Sequence, residues 1–247
     1  TITGADIGGT LTLTGGGDIS QSGAIVASTL NATAHHGAIS LTDAGNDIAQ
    51  ASLSSQGSTV LYDASNLGME GANVGGDLTL LTEGNLTFVS SIQLANGSLL
   101  AVAGWDGTTT SASSLSKSGA YGNNGGSIVV GGSGASGDVA VGSADGTTTL
   151  EGANVSLEAD NGYAQVGYNG AASGNIDILA VQNITLSGGA DAGDYAQIGD
   201  GGMSTSGNES GHITVTAGGA VALDSGKGKD AYVQIGHGGA DADKDSH

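Results

Sequence analysis

The chain has 247 residues, of which 48 are glycine, and it contains no proline and no cysteine. Its 24 acidic residues against four basic ones give a formal net charge of -20, which would repel a phosphate backbone and therefore predicts no nucleic-acid partner. The lack of cysteine excludes disulfides and thiolate metal sites. No apolar run approaches the roughly 20 residues of a membrane-spanning helix, so no membrane span is expected.

Short apolar stretches alternate with threonine and serine in the first third of the chain. Leu-Thr-Leu at residues 11–13, Ile-Ser-Leu at 39–41 and Leu-Thr-Leu at 78–80 are each followed by a second such stretch, at residues 18–21, 47–50 and 85–88. A period of two is typical of half-buried strands, and no segment sustains the period of 3.6 that indicates a helix. We interpret the three pairs as copies of one repeated unit.

The last third of the chain contains a clearer repeat. A motif of the form Tyr-(Ala/Val)-Gln-(Val/Ile)-Gly begins at Tyr163, Tyr195 and Tyr232, at spacings of 32 and 37 residues. Two further alternating stretches accompany each copy, so each unit carries three short strands separated by glycine-rich bends. Three strands in about 30 residues predict an all-β chain folded as a right-handed parallel β-helix of about seven to nine coils.

The repeats suggest one continuous domain. We expect a single β-helical segment over residues 1–247, with irregular, loop-rich coils at residues 104–146. The strand pattern is already under way at the first residues, and no capping element of the kind that solenoids require is recognised at either end. The segment is therefore expected to be a piece of a longer shaft.

Four stretches of the sequence carry a family resemblance: GGDISQSGAI at residues 16–25, GAISLT at 37–42, YAQIG at 195–199 and YVQIGHGG at 232–239. They resemble the repeat region of filamentous haemagglutinin-like adhesins, which are two-partner-secretion exoproteins of Gram-negative bacteria. The resemblance extends over nearly the whole chain and is weakest between residues 100 and 147. It implies a secreted β-helical shaft at the cell surface or in a biofilm matrix, exported through an outer-membrane secretion partner. It carries over no catalytic residue.

We therefore expect a non-enzymatic structural or adhesive protein, whose partners are glycans or receptors on host or neighbouring cells, or other copies of the chain. One alternative is a subunit of a self-assembling extracellular filament or sheath. The other is a polysaccharide-active β-helix enzyme. That chemistry needs carboxylates aligned on neighbouring coils together with a basic residue or a metal, and comparison of the repeats shows no such pair.

Asp241, Asp243 and Asp245 form the candidate metal site. Alternating carboxylates converge on hard cations such as calcium, although the rest of the EF-hand pattern is missing here. The expected function requires no cofactor, and calcium is the candidate ligand of this loop.

The tyrosine motif predicts a contact stripe along the outside of the stack. Its first and third residues face one way, and its aliphatic second and fourth residues face the other. The outward residues are Tyr163, Gln165, Tyr195, Gln197, Tyr232 and Gln234. Ladders of this kind stabilise stacked strands. As an exposed surface, the stripe would contact glycans or a neighbouring filament.

Overall fold

The computed structural model describes residues 1–109 and 125–242, where all regular secondary structure is β-strand. In that part of the chain, no helix is long and apolar enough to cross a membrane. The strands in chain order are β1 (Ala5–Gly15), β2 (Ile19–Ser20), β3 (Ile25–Ala34), β4 (Ile39–Leu41), β5 (Asp47–Ser55), β6 (Thr59–Asp63), β7 (Leu67–Val74), β8 (Leu78–Thr82), β9 (Leu86–Phe88), β10 (Ile92–Leu94), β11 (Leu99–Ala103), β12 (Ile128–Gly131), β13 (Val139–Ser143), β14 (Thr148–Gly152), β15 (Val155–Glu158), β16 (Ala164–Val166), β17 (Ile176–Ala180), β18 (Ile184–Ser187), β19 (Ala196–Ile198), β20 (Ile213–Ala217), β21 (Val221–Asp224) and β22 (Val233–Ile235).

Within the described residues, these strands form three sheets whose strand pairs are all parallel. Sheet 1 has the order β1-β3-β5-β7-β9-β12-β15-β18-β21, sheet 2 the order β2-β4-β6-β8-β11-β14-β17-β20, and sheet 3 the order β10-β13-β16-β19-β22. Successive strands of the chain pass from sheet to sheet, which is the arrangement of a parallel β-helix. The all-β prediction is confirmed. At about 4.8 Å per level, the stack is roughly 40 Å long.

Small aliphatic side chains at alternate strand positions form the core between the sheets. In sheet 2, one inward column runs through Leu61, Leu80, Ala101, Leu150 and Ile178, each paired with the next. All five are buried. A single coil could not remove these side chains from water, so the fold depends on stacking, which stabilises it by about 1.5–3 kcal/mol for each large aliphatic side chain.

The coils are of two kinds, which the sequence pattern did not predict. In the N-terminal part each coil has two strands, and Leu67 pairs with Leu86, 19 residues later. From β10 onward sheet 3 adds a third strand, and Val155 pairs with Ile184, 29 residues later. The expected unit of three strands in about 30 residues is therefore right for the C-terminal coils and wrong for the N-terminal ones.

The predicted alignment of the first third is corrected for the same reason. Residues 11–13 lie in sheet 1, where Leu11 pairs with Leu30, whereas residues 39–41 lie in sheet 2, where Ile39 pairs with Ile19. The two stretches look alike because both sheets bury one face against the same core. Alternation identifies a half-buried strand without saying to which sheet it belongs.

The stretch at residues 104–146, expected to be irregular, contains strands β12 and β13, and its residues 110–124 lie outside the described residues. At its start, Trp105 packs against the outer face of sheet 2 and is 1% exposed. Its ring centroid lies 4.9 Å from that of Tyr62, and its Nε1 donates to the carbonyl oxygen of Thr109 at 2.6 Å. Part of the outer face of sheet 2 is therefore covered.

Candidate functional site

The tyrosines of the repeated motif stack as predicted. The ring centroids of Tyr163 and Tyr195 are 4.7 Å apart with 11° between the ring planes. Those of Tyr195 and Tyr232 are 4.8 Å apart with 1° between the planes. These distances equal the separation of neighbouring strands, because each tyrosine directly precedes a strand of sheet 3.

The stack is not an exposed surface, which corrects the predicted contact stripe. Tyr195 is 1% exposed, and Gln165 and Gln197 are fully buried. The remaining three residues of the stripe are half-buried: Tyr163, Tyr232 and Gln234. The physical reason is that the glycine-rich segment after each motif folds back across the outer face of sheet 3.

Each buried glutamine binds the backbone of that covering segment on the next coil. Gln165 Nε2 donates to the carbonyl oxygens of Gly199, at 2.8 Å, and Gly201, at 3.0 Å. One coil further, Gln197 Nε2 donates to the carbonyl oxygen of Gly238 at 2.7 Å. The first glycine of the segment is required, since Gly199 has a φ of +154° and a Cβ there would collide with the backbone of the following coil.

The tyrosine hydroxyls complete the network by reaching back one coil. Tyr195 Oη donates to Gln165 Oε1 at 3.3 Å, and Tyr232 Oη donates to Gln197 Oε1 at 3.1 Å. Burial raises the pKa of Tyr195, and it raises the pKa of Tyr232 to about 12. Both phenols therefore stay protonated as donors. The residues predicted to contact a ligand instead contact one another.

The network begins at a residue that the sequence analysis missed. Gln93, in β10, donates from Nε2 to the carbonyl oxygen of Gly167 at 3.1 Å, and its Oε1 accepts the backbone N–H of Asn169 at 2.6 Å. Gln93 has no tyrosine two residues before it and no glycine two residues after it. The only signal was a glutamine between two aliphatic residues.

The candidate calcium loop is only partly described. Asp241 lies in an exposed turn with a φ of 60°, while Asp243 and Asp245 lie outside the described residues. Over residues 1–109 and 125–242, no group of three or more His, Cys, Asp or Glu side chains is placed to hold a metal ion. Calcium binding at residues 241–245 stays a prediction.

A buried carboxylate on the outer face of sheet 2 is a feature that the sequence analysis did not find. Glu151, in β14, is 2% exposed, and its Oε2 has no hydrogen-bond partner. Its partners on the two neighbouring strands are apolar, Val102 on β11 and Leu179 on β17. Burial raises the pKa of this carboxyl to about 7.

Glu151 lines a groove of about 220 Å³ together with a second acid, Asp177, which is exposed. Asp177 pairs with Thr149 rather than with Glu151, so the two acids are diagonal neighbours on adjacent strands. Comparison of aligned repeats looked for acids at the same position and therefore missed this pair. Among the other residues that line the groove are Thr149, Leu179, Thr214 and Thr216.

Another buried acid, Asp200, belongs to the covering segment of sheet 3. It is 1% exposed, its Oδ1 accepts the backbone N–H of Tyr168 at 2.8 Å, and its Oδ2 lies 3.5 Å from Nδ1 of His237. Burial raises its pKa to about 6, a shift opposed by the bond from Tyr168 and by His237. This acid helps to hold the covering segments of consecutive coils together.

Comparison with known protein families matches residues 1–55 to a family described as repeats of unknown function (DUF5649). Comparison with curated proteins and with solved structures gives no match. The matched residues run from β1 to the end of β5, in the two-stranded coils. The match supports a repeat protein and indicates no activity.

Proposed function

We propose that the chain is the shaft of a non-enzymatic, extracellular structural or adhesive protein of a Gram-negative bacterium. The observation that carries this proposal is the parallel stack itself, in which nine described strands of sheet 1 follow one another at one strand per coil. Such a stack grows by adding coils and forms a stiff rod. The match to a repeat family supports the same interpretation.

The composition supports export and folding outside the cell. The chain has no cysteine, so it folds without oxidation, and it has no proline, so no prolyl isomerisation delays folding. Its net charge of -20 keeps separate rods apart in solution. We propose secretion with the help of an outer-membrane partner, as in two-partner secretion, to the cell surface or a biofilm matrix.

A self-assembling filament is the second candidate, because the last strand of sheet 1 exposes apolar side chains. Val221 and Leu223, in β21, are 42% and 51% exposed. Axial stacking of copies would place β1 of one copy on β21 of another. However, the coils near β1 have two strands, whereas the coil of β21 has three, so β22 would remain unpaired. This mismatch favours the shaft over the filament.

Light scattering and negative-stain microscopy of the purified chain separate these two candidates. The shaft predicts monomers seen as short rods of roughly 40 Å. Filaments many times longer, formed by the purified chain alone, would contradict the shaft and favour self-assembly.

Adhesion is tested with microspheres coated with the chain and incubated with cultured epithelial cells or with Gram-negative cells. The coated spheres should be retained more than spheres coated with a Val166→Asp variant, which we expect not to fold. Equal retention would contradict the adhesive part of the proposal and leave a structural shaft. Release of reducing ends from polygalacturonate or alginate would contradict the non-enzymatic part.

A further inference from the structure

We propose that the groove lined by Glu151 and Asp177 on the outer face of sheet 2 binds a divalent hard cation, and that calcium is the ion it fits best. This site is separate from the candidate loop at residues 241–245. It does not depend on the proposed shaft function, since it follows from the side chains of β14, β17 and β20.

The first argument is the unpartnered oxygen of Glu151. An ionised carboxylate is strongly disfavoured in an apolar environment unless it is paired with a positive charge. Oε2 of Glu151 has no hydrogen bond, and the described lysine and histidine ion pairs involve other acids. A bound cation in the groove would supply the missing partner, whereas a proton would supply it only at the expense of the charge.

The second argument is the placement of the two acids. On parallel strands, diagonal neighbours on one face lie about 7–8 Å apart at Cα. Glu151 on β14 and Asp177 on β17 are such neighbours, and both line the groove. Side chains of these lengths can bring their oxygens to within about 5 Å of each other, which is the separation across a calcium ion bound at 2.3–2.6 Å.

The third argument is the chemistry of the remaining lining. Thr149, Thr214 and Thr216 place hydroxyl groups around the acids, and the groove offers no sulfur or imidazole ligand among its described residues. A set made only of oxygen ligands favours calcium or magnesium over transition metals. Because the groove is open to water and the threonines lie on more than one strand, the irregular shell of calcium fits better than the strict octahedron of magnesium.

The affinity should be modest. Two carboxylates provide fewer charges than a calcium sensor does, so we expect a dissociation constant of about 10⁻⁴–10⁻³ M, the range of extracellular calcium modules. Calcium at that level is available outside cells, so only this expectation of occupancy rests on the proposed extracellular location.

The test compares thermal melting of the purified chain in EDTA, in about 5 mM calcium, in about 5 mM magnesium and in sodium chloride of the same ionic strength. A site with a dissociation constant near 0.5 mM should raise the melting midpoint by roughly 3–5 °C in calcium. The rise should exceed that in sodium chloride and in magnesium. Equal midpoints in calcium and in matched sodium chloride would overturn the proposal, whatever the outcome of the adhesion assay.

Three variants locate the effect. Glu151→Gln and Asp177→Asn should each lose the calcium-specific rise. Glu151→Gln should also melt at or above the wild-type temperature in EDTA, because the amide removes a buried charge without changing the shape. Glu70→Gln, at an exposed acid of β7 in sheet 1, removes the same charge elsewhere and should keep the full rise. A full calcium response in Glu151→Gln, or its loss in Glu70→Gln, would overturn the assignment.

Isothermal titration calorimetry with calcium gives a second measurement that does not depend on melting. The wild-type chain should bind calcium at this site, and Glu151→Gln should weaken that binding by at least about tenfold. An Asp241→Asn variant separates the two candidate sites. If this variant loses the binding while Glu151→Gln retains it, the ion lies in the loop at residues 241–245 and the groove proposal is wrong.

Discussion

Replacement of Gln165 by leucine tests whether the buried tyrosine–glutamine network holds the C-terminal coils together. Leucine keeps most of the side-chain bulk and removes the amide. In the wild-type chain that amide donates to the carbonyl oxygens of Gly199 at 2.8 Å and Gly201 at 3.0 Å, and it accepts the hydroxyl of Tyr195 at 3.3 Å. Gln165 is fully buried, so water cannot replace these bonds.

The magnitude follows from which groups lose their partners. The carbonyl oxygen of Gly199 keeps a long contact with Nε2 of Gln197 at 3.4 Å, and the hydroxyl of Tyr195 keeps a bond with the backbone of Met203. The main losses are the bond to Gly201 and the shorter bond to Gly199. At about 1–3 kcal/mol for each buried polar group left unsatisfied, Gln165→Leu should lower the free energy of unfolding by about 2–5 kcal/mol.

Gln234→Leu is the matched control. Gln234 occupies the same motif position one coil beyond Gln197, and its Nε2 donates to the carbonyl oxygens of Gly236 at 3.1 Å and His237 at 3.0 Å. It is half-buried, so water can replace part of what the amide provides. We expect a loss of no more than about 1 kcal/mol.

Urea unfolding followed by far-ultraviolet circular dichroism measures both variants against the wild-type chain. The midpoint should fall clearly for Gln165→Leu and only slightly for Gln234→Leu, with similar slopes. Equal effects of the two substitutions, or a loss below about 1 kcal/mol for Gln165→Leu, would show that the buried amides contribute no more than exposed ones. The structural role assigned to the network would then be wrong.

Three further predictions follow from burial and backbone geometry. Val166→Asp places a charge among buried aliphatic side chains and should lower stability by several kcal/mol in urea unfolding, about 3 or more; a loss below 1 would place Val166 outside the core. Gly199→Ala should destabilise the chain strongly in a thermal melt, whereas Gly8→Ala, which meets no atom within 4 Å, should be nearly neutral; similar effects would contradict the close approach of the coils. Burial raises the pKa of Glu151 to about 7 and that of Asp200 to about 6, so their contribution to stability is full below the unfolded pKa values of about 4 and is lost as pH rises through 6–7. The melting temperature should therefore be lower at pH 8 than at pH 5, and the opposite order would contradict the burial of these acids.

The class of fold could be predicted because each coil repeats its own signal. Alternation in residues 176–178 and 213–215 identified strands that do stack, with Ile176 paired to Ile213. The N-terminal coil length could not be predicted in the same way, because sheets 1 and 2 impose the same alternation. A spacing of 28 residues between Leu11 and Ile39 compared strands of different sheets and concealed the true coil of about 20 residues.

The candidate sites show where alternation stops being informative. It placed Gln165 correctly on the face opposite Val166, but it could not show that another segment covers that face. Likewise, nothing in the local sequence distinguishes the buried Glu151 from an exposed acid such as Asp177. Burial of an outward-facing side chain depends on loops and on neighbouring coils, and these vary in length between repeats. Predictions about faces therefore succeeded, whereas predictions about exposure did not.

The polar network in sheet 3 has a physical reason that apolar packing alone does not provide. Strands β16, β19 and β22 have three residues each, so each presents few apolar side chains to the core. A slip of one residue in β19 would place Gln197 in the core and Ile198 outside, and the short strand offers little else to oppose that slip. The two bonds of each glutamine to the next coil, with the stacked tyrosine beside it, form only in one register. We therefore infer that the residues first predicted to recognise a partner serve to align the coils of the shaft.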